Sequence, residues 1–141
     1  MNKKISSSSI TTWPQILLPV PLHNKRLRQR GFNQAQFIAA ELSRSIGIKT
    51  DTSLCQRKVY QTPQQGHSRV ERLAGMEGIF EISQHKRHQY INRVAIIDDV
   101  MTTGATAQAL SQCLIDAWHG PLDIQIWCIA RAQSPNVQIN W

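Results

Sequence analysis

The stretch Val94–Leu110, VAIIDDVMTTGATAQAL, decides how this chain is to be read. Four apolar residues, Val94 to Ile97, run without interruption into Asp98 and Asp99. An unbroken apolar run is the mark of a strand buried on both faces, as in a parallel sheet. After the loop, Ala107, Leu110, Leu114 and Trp118 recur at helical spacing, with Gln108, Ser111, Gln112 and Asp116 on the opposite face. The segment is therefore strand, loop, helix. The loop residues Thr102, Thr103, Gly104, Ala105 and Thr106 are small or hydroxyl-bearing and lie where the helix presents unpaired N–H groups and the positive end of its dipole. That is a cradle for a phosphate. It is not a Walker A loop, because no Gly-Lys-Ser/Thr ends it. Two carboxylates beside a phosphate would repel it unless a spacer intervened. A ribose is such a spacer: its 5′ end carries the phosphate and its 2′ and 3′ hydroxyls donate to carboxylates. Asp98 and Asp99 with Thr102–Thr106 thus form an expected grip for a ribose 5-phosphate.

Outward from this stretch, Ile16 to Pro21 is a short apolar strand ended by prolines. His23 to Gly31, HNKRLRQRG, is expected to be a basic loop. Asn33 is a good helix N-cap, Ala35, Ile38, Leu42 and Ile46 keep helical spacing, and Gly47 ends the helix. A weakly patterned strand is expected over Ile48 to Cys55 and another over Met76 to Ile82, with the irregular polar segment Gln56–Gly75 between them. Arg93 to Asp98 and Asp123 to Ala130 complete the strands, and Ser83 to Asn92 is a polar surface connection. Strands alternating with helices predict an α/β fold, a mostly parallel sheet with helices on both faces. Ligands of such sheets bind beyond the carboxyl ends of the strands, where both HNKRLRQRG and DDVMTTGAT emerge.

The chain has 141 residues, a length suited to one domain. Its net charge of +7 favours anionic partners: phosphates, nucleic acid or acidic lipid. Cys55, Cys113 and Cys128 fit neither a metal ligand set nor a Cys-x-x-Cys pair, so no zinc is expected and a reducing compartment is. The leader MNKKISSSSITTW lacks the apolar core of a signal peptide, and no stretch is long and apolar enough to span a membrane. The expected location is the cytoplasm.

VAIIDDVMTTGAT resembles the signature with which type I phosphoribosyltransferases bind phosphoribosyl pyrophosphate. LLPVPLH at 17–23, RQRGFNQA at 28–35, QQGHSRVERLAGMEGIF at 64–80 and IAR at 129–131 narrow the resemblance to the ComF/GntX family of competence-protein-like phosphoribosyltransferases. The match spans residues 16–131, so the chain divides into a polar leader (1–13), a phosphoribosyltransferase-like domain (14–132) and a short tail (133–141). The family usually carries a four-cysteine zinc module and a helical segment before the PVPLH strand, and no counterpart of these N-terminal elements is found in the sequence.

The resemblance implies that the loop after the first strand embraces the pyrophosphate, with Lys25, Arg28 and Arg30 as its cations, and guanidinium forks suit such a group. It also implies a hood over the substrate from residues 56–75, with Gln65, Arg69 and Arg72 as contacts. Gly75 stands where the family pattern usually has asparagine. The implied reaction displaces pyrophosphate at C1 of the ribose, with Asp98 and Asp99 stabilising positive charge on the sugar. Mg²⁺ would be held mainly through the substrate. The acceptor and the oligomeric state are not legible. The alternative is a non-catalytic accessory that binds this ligand, DNA or a protein of the competence machinery.

Overall fold

The computed structural model describes residues 13–58, 78–83, 90–101 and 103–132. The first strand, β1 (Ile16–Pro19), is buried along its whole length, as its apolar run requires. Helix α1 (Asn24–Arg30) and helix α2 (Gln34–Ile46) follow it. Three short strands come next: β2 (Lys49–Thr50), β3 (Cys55–Arg57) and β4 (Phe80–Ile82). Then come β5 (Arg93–Met101), α3 (Ala105–Ala117) and β6 (Asp123–Arg131).

Four strands form one parallel sheet in the order β2-β1-β5-β6, and β3 pairs antiparallel with β4 as a separate ribbon. Alternation along the strands splits the core in two. Leu17, Ala95 and Ile97 pack with Ile38 and Ala39 of α2 on one face. Ile16, Leu18, Val94 and Ile96 pack with Leu110 and Leu114 of α3 on the other, where Leu54, Cys55, Ile79, Phe80 and Ile82 bring in the ribbon. The expected α/β architecture, a parallel sheet with a helix on each face, is thus what the chain forms.

The strand order places the functional edge. From β1 the chain crosses to β2 on one side, whereas β5 lies on the other side of β1. The winding therefore reverses between β1 and β5, and the crevice beyond their carboxyl ends is a topological switch point. The two strands are in register from Ile16↔Val94 to Pro19↔Ile97, and the Val20 amide extends the ladder to the Ile97 carbonyl at 2.9 Å.

Three sequence expectations change. The basic segment 23–31 is not a loop: residues 24–30 are helical. His23 Nδ1 accepts from the Lys25 amide, Gly31 closes the end at φ 80°, and Leu, Arg, Gln and Lys between them are good helix formers. The single strand expected over 48–55 is two, in different sheets, because Asp51 turns the chain by accepting from the amides of Ser53 and Leu54 and from the Ser53 hydroxyl. Finally, β5 does not stop at Asp98 but pairs with β6 as far as Met101↔Arg131, so both aspartates are strand residues.

Candidate functional site

The end of β1 and the end of β5 bring separate parts of the site together. Asn33 links the first part to the sheet. Its Nδ2 donates to the Val20 carbonyl at 3.1 Å, while its Oδ1 caps α2 by accepting from the Ala35 and Gln36 amides. The α1–α2 joint is thereby held at the carboxyl edge of β1.

Asp98 and Asp99 are both half-buried beyond the apolar part of β5. By alternation Asp98 continues the side of Ile96, toward the ribbon and α3, and Asp99 the side of Ile97. One oxygen of each is engaged locally: the Asp99 amide donates to Asp98 Oδ1 at 2.9 Å and the Val100 amide to Asp99 Oδ1 at 2.8 Å. Burial pushes the Asp98 carboxyl up to about 6, helped by a hydrogen bond and repulsion from Asp99, while the Asp99 amide and Arg57 act in the opposite sense.

The residues expected to cradle a phosphate lie just beyond. Gly104 adopts φ 77°, a left-handed conformation that glycine accepts without strain, and it leads directly into α3. Thr103 Oγ1 accepts from the Ala105 amide at 3.3 Å. Ala105 is buried, and Thr103 and Thr106 are half-buried. Thr102 lies outside the described residues, as do the hood candidates Gln65, Arg69 and Arg72.

Lys25, Arg28 and Arg30 are exposed on α1. Among the cations of α1 only Arg26 is half-buried, and it is not among those expected. Its field meets that of a second unexpected residue, Arg57 of β3. Burial and Arg26 lower the Arg57 pKa, and Asp98 raises it. The Arg57 guanidinium also lies 5.6 Å from the centre of the Phe80 ring, its cross-strand neighbour. The signal for Arg57 is in the sequence: with Cys55 inward and Gln56 outward, a strand continuing to residue 57 turns that arginine inward. The neighbouring cation Lys58 is instead paired with Glu81 at 2.7 Å.

A cavity of about 500 Å³ opens between α2 and β6, lined by Phe37, Ile38, Leu42, Ile97, Asp98 and Trp127 among others. Its apolar wall makes it unsuited to an anion, in contrast to the carboxylate–arginine cluster. Among the described residues, no group of three His, Cys, Asp or Glu side chains comes together as a metal site. No described helix is long and apolar enough to cross a membrane. All three cysteines are free thiols, and burial pushes Cys55 up to about 12.

The fold and the position of the acid pair define the class: an α/β protein with a type I phosphoribosyltransferase-like sheet and its candidate site at the switch point. No family model matches the chain. It is 34% identical over 119 residues to competence protein F of Haemophilus influenzae, covering 84% of this chain and 51% of that protein. It is 31% identical over 120 residues to the DNA utilization protein YhgH of Escherichia coli (strain K12), covering 84% and 50%. Competence protein ComFC of Bacillus subtilis is 32% identical over 101 residues, covering 72% and 38%. The chain belongs to the ComF family of competence proteins. It spans about half the length of the curated relatives it matches.

Proposed function

We propose that this chain binds phosphoribosyl pyrophosphate at the β1/β5 switch point and transfers the phosphoribosyl group to an acceptor with release of pyrophosphate. The observation that carries the reading is the half-buried Asp98–Asp99 pair at the end of β5, with the start of α3 just beyond it in the chain and Arg57 acting electrostatically on Asp98. In this reading the 5-phosphate lies at Thr102, Thr103, Gly104, Ala105 and Thr106. The ribose hydroxyls donate to the free oxygens of Asp98 and Asp99. As the bond from C1 to the diphosphate breaks, positive charge grows on the sugar ring, and an ionised acid pair stabilises it. The diphosphate leaves toward the cations: Arg26 and Arg57 from the inner side, Arg30 one turn beyond Arg26, and Lys25 and Arg28 from the rest of α1. Gln65, Arg69 and Arg72 complete that end of the ligand.

Mg²⁺ fits this donor set, since each aspartate keeps one hard oxygen free of the backbone amides that engage the other. When bound, mainly through the diphosphate, the ion supplies neutralisation of the departing charge. Three free thiols suit a cytoplasmic setting. The relatives are named for competence and DNA utilization, and we carry that role in handling DNA over to this chain.

The test is a screen for pyrophosphate release from phosphoribosyl pyrophosphate with Mg²⁺ and a panel of nitrogenous acceptors. Release that depends on one acceptor class supports transfer. Binding of the ligand without release by any acceptor supports the second reading, a ligand-binding accessory. Absence of ligand binding by the folded chain contradicts both.

A further inference from the structure

We propose that the free edge of β6 pairs antiparallel with β6 of a second copy of this chain, joining two four-stranded sheets into one about a twofold axis at Trp127. This does not depend on phosphoribosyl transfer. The first observation is that the two edges of the sheet differ. At one edge β2 is two residues long and contains Lys49, so it offers little to a neighbouring strand. At the other, β6 runs for nine residues, about 30 Å, and among the described residues it pairs only with β5. Long edges are ordinarily protected by charged side chains or proline. Between Asp123 and Arg131 the strand reads IQIWCIA, with no charge, proline or glycine.

The second observation is that β6 is apolar yet buries nothing. Parallel strands are apolar where layers cover both faces. Here the helices pack on the inner strands, Ile38 and Ala39 of α2 with Leu17, Ala95 and Ile97, and Leu110 and Leu114 of α3 with Ile16, Leu18, Val94 and Ile96. No residue of β6 is buried, and Ile126 is 42% exposed. Its backbone is available as well. The Asp123 amide donates to the Asn92 carbonyl at 2.7 Å, on the β5 side. Alternation therefore turns the amides and carbonyls of Ile124, Ile126 and Cys128 to the open edge.

The third observation selects a second copy over any other strand. Asp123 and Arg131 are the charged residues of β6, both are exposed, and each lies four positions from Trp127. Among the described residues neither forms an ion pair, in contrast to Arg44 and Lys58, which are neutralised by Glu41 and Glu81. An antiparallel pair centred on Trp127 sets Asp123 opposite the partner's Arg131 at both ends, on one face of the sheet. A parallel pair in register sets like charge against like, which is destabilising. In the antiparallel pair Ile126 exchanges both backbone bonds with the partner's Cys128. Trp127 then falls at a non-hydrogen-bonded position, where opposite side chains are closest. The two indoles meet across the axis as a cross-strand aromatic pair, each backed by Trp13, whose ring centre lies 6.2 Å from that of Trp127. Such an isologous contact closes at two copies, and the short β2 edge adds no third. The two switch-point crevices lie at opposite ends of the joined sheet.

The experiment is sedimentation equilibrium of the full chain over a concentration series, with circular dichroism to confirm that each variant is folded. The expected result is an equilibrium of monomer and dimer without larger species. Asp123→Arg leaves arginine facing arginine at both ends of the pair, and Arg131→Asp leaves aspartate facing aspartate. Each should weaken the dimer about tenfold or more. An equimolar mixture of these two variants should regain dimers, because both ends of a mixed pair are complementary. The double variant Asp123→Arg, Arg131→Asp should dimerise with itself as the wild type does. A wild type that stays monomeric up to its solubility limit, its β6 edge then being reserved for another segment or protein, would overturn the proposal. So would a dimer indifferent to both single reversals, or a mixture or a double variant that stays monomeric.

Discussion

Asp98 is the residue on which stability and function pull in opposite directions. Its carboxyl is pushed from 3.8 to about 6 by burial beside Asp99. Below pH 3.8 the group is neutral whether the chain is folded or not. Between there and 6 the folded state holds the proton that the unfolded state has lost, so the contribution of Asp98 to stability falls as pH rises through this window. Asp98→Asn should therefore raise the melting temperature at neutral pH, and thermal melts across the acid range should show the gain shrinking toward pH 3.8. A variant that melts earlier than the parent at neutral pH would contradict this sign. Arg57 is the complementary case. Arg57→Ala removes both the guanidinium beside Phe80 and a favourable field at Asp98. It should weaken phosphoribosyl pyrophosphate by about tenfold or more, and Arg57→Lys should recover only part, since an ammonium cannot reproduce a planar fork. Titration calorimetry with the three proteins measures the series. The acid pair was legible in the sequence because its type and its place after VAII are local facts. Arg57 was legible only as an inward position of β3, because its importance comes from Asp98 on β5, which it meets only in the fold.

Among the elements, the long regular ones and the apolar strand β1 were legible, and the short elements without an apolar run were less so. The β5–loop–α3 unit and α2 follow from apolar spacing and from Asn33 and Gly47 at the ends of α2. Helix α1 has no apolar stripe to announce it, and it forms through its caps, His23 and Gly31. Strand β4 falls within the strand expected over Met76 to Ile82, but β3 and its pairing with β4 were missed, because strands of three residues carry too little alternation to be recognised alone. Asn33 is more consequential than a cap, because the same side chain joins α2 to the end of β1. Asn33→Ala should cost about 1–2 kcal/mol by urea denaturation. Asn33→Asp should keep the α2 cap and lose the donor to the Val20 carbonyl, so it should retain most of the stability while disturbing the ligand site. Equal loss from both changes would show that capping has no separate role.

At the scale of the whole molecule, the sheet order makes a site out of these parts. Reversal of the winding between β1 and β5 leaves a crevice where α1, the ribbon and the acid pair converge. The same sheet leaves its β6 side less covered: Phe37 and Ile129 are 61% and 71% exposed beside the apolar cavity. Purely parallel sheets are ordinarily buried on both faces, so this patch should favour self-association. Phe37→Glu with Ile129→Glu should reduce light scattering at high protein concentration without lowering the melting temperature. Unchanged scattering would show that the patch is not adhesive. The central claim concerns the acid pair, and calorimetric titration of phosphoribosyl pyrophosphate with Mg²⁺ into the wild type and the Asp98→Asn, Asp99→Asn double variant tests it most directly. The account predicts binding by the wild type and none measurable by the folded double variant; equal affinity in the two would contradict it.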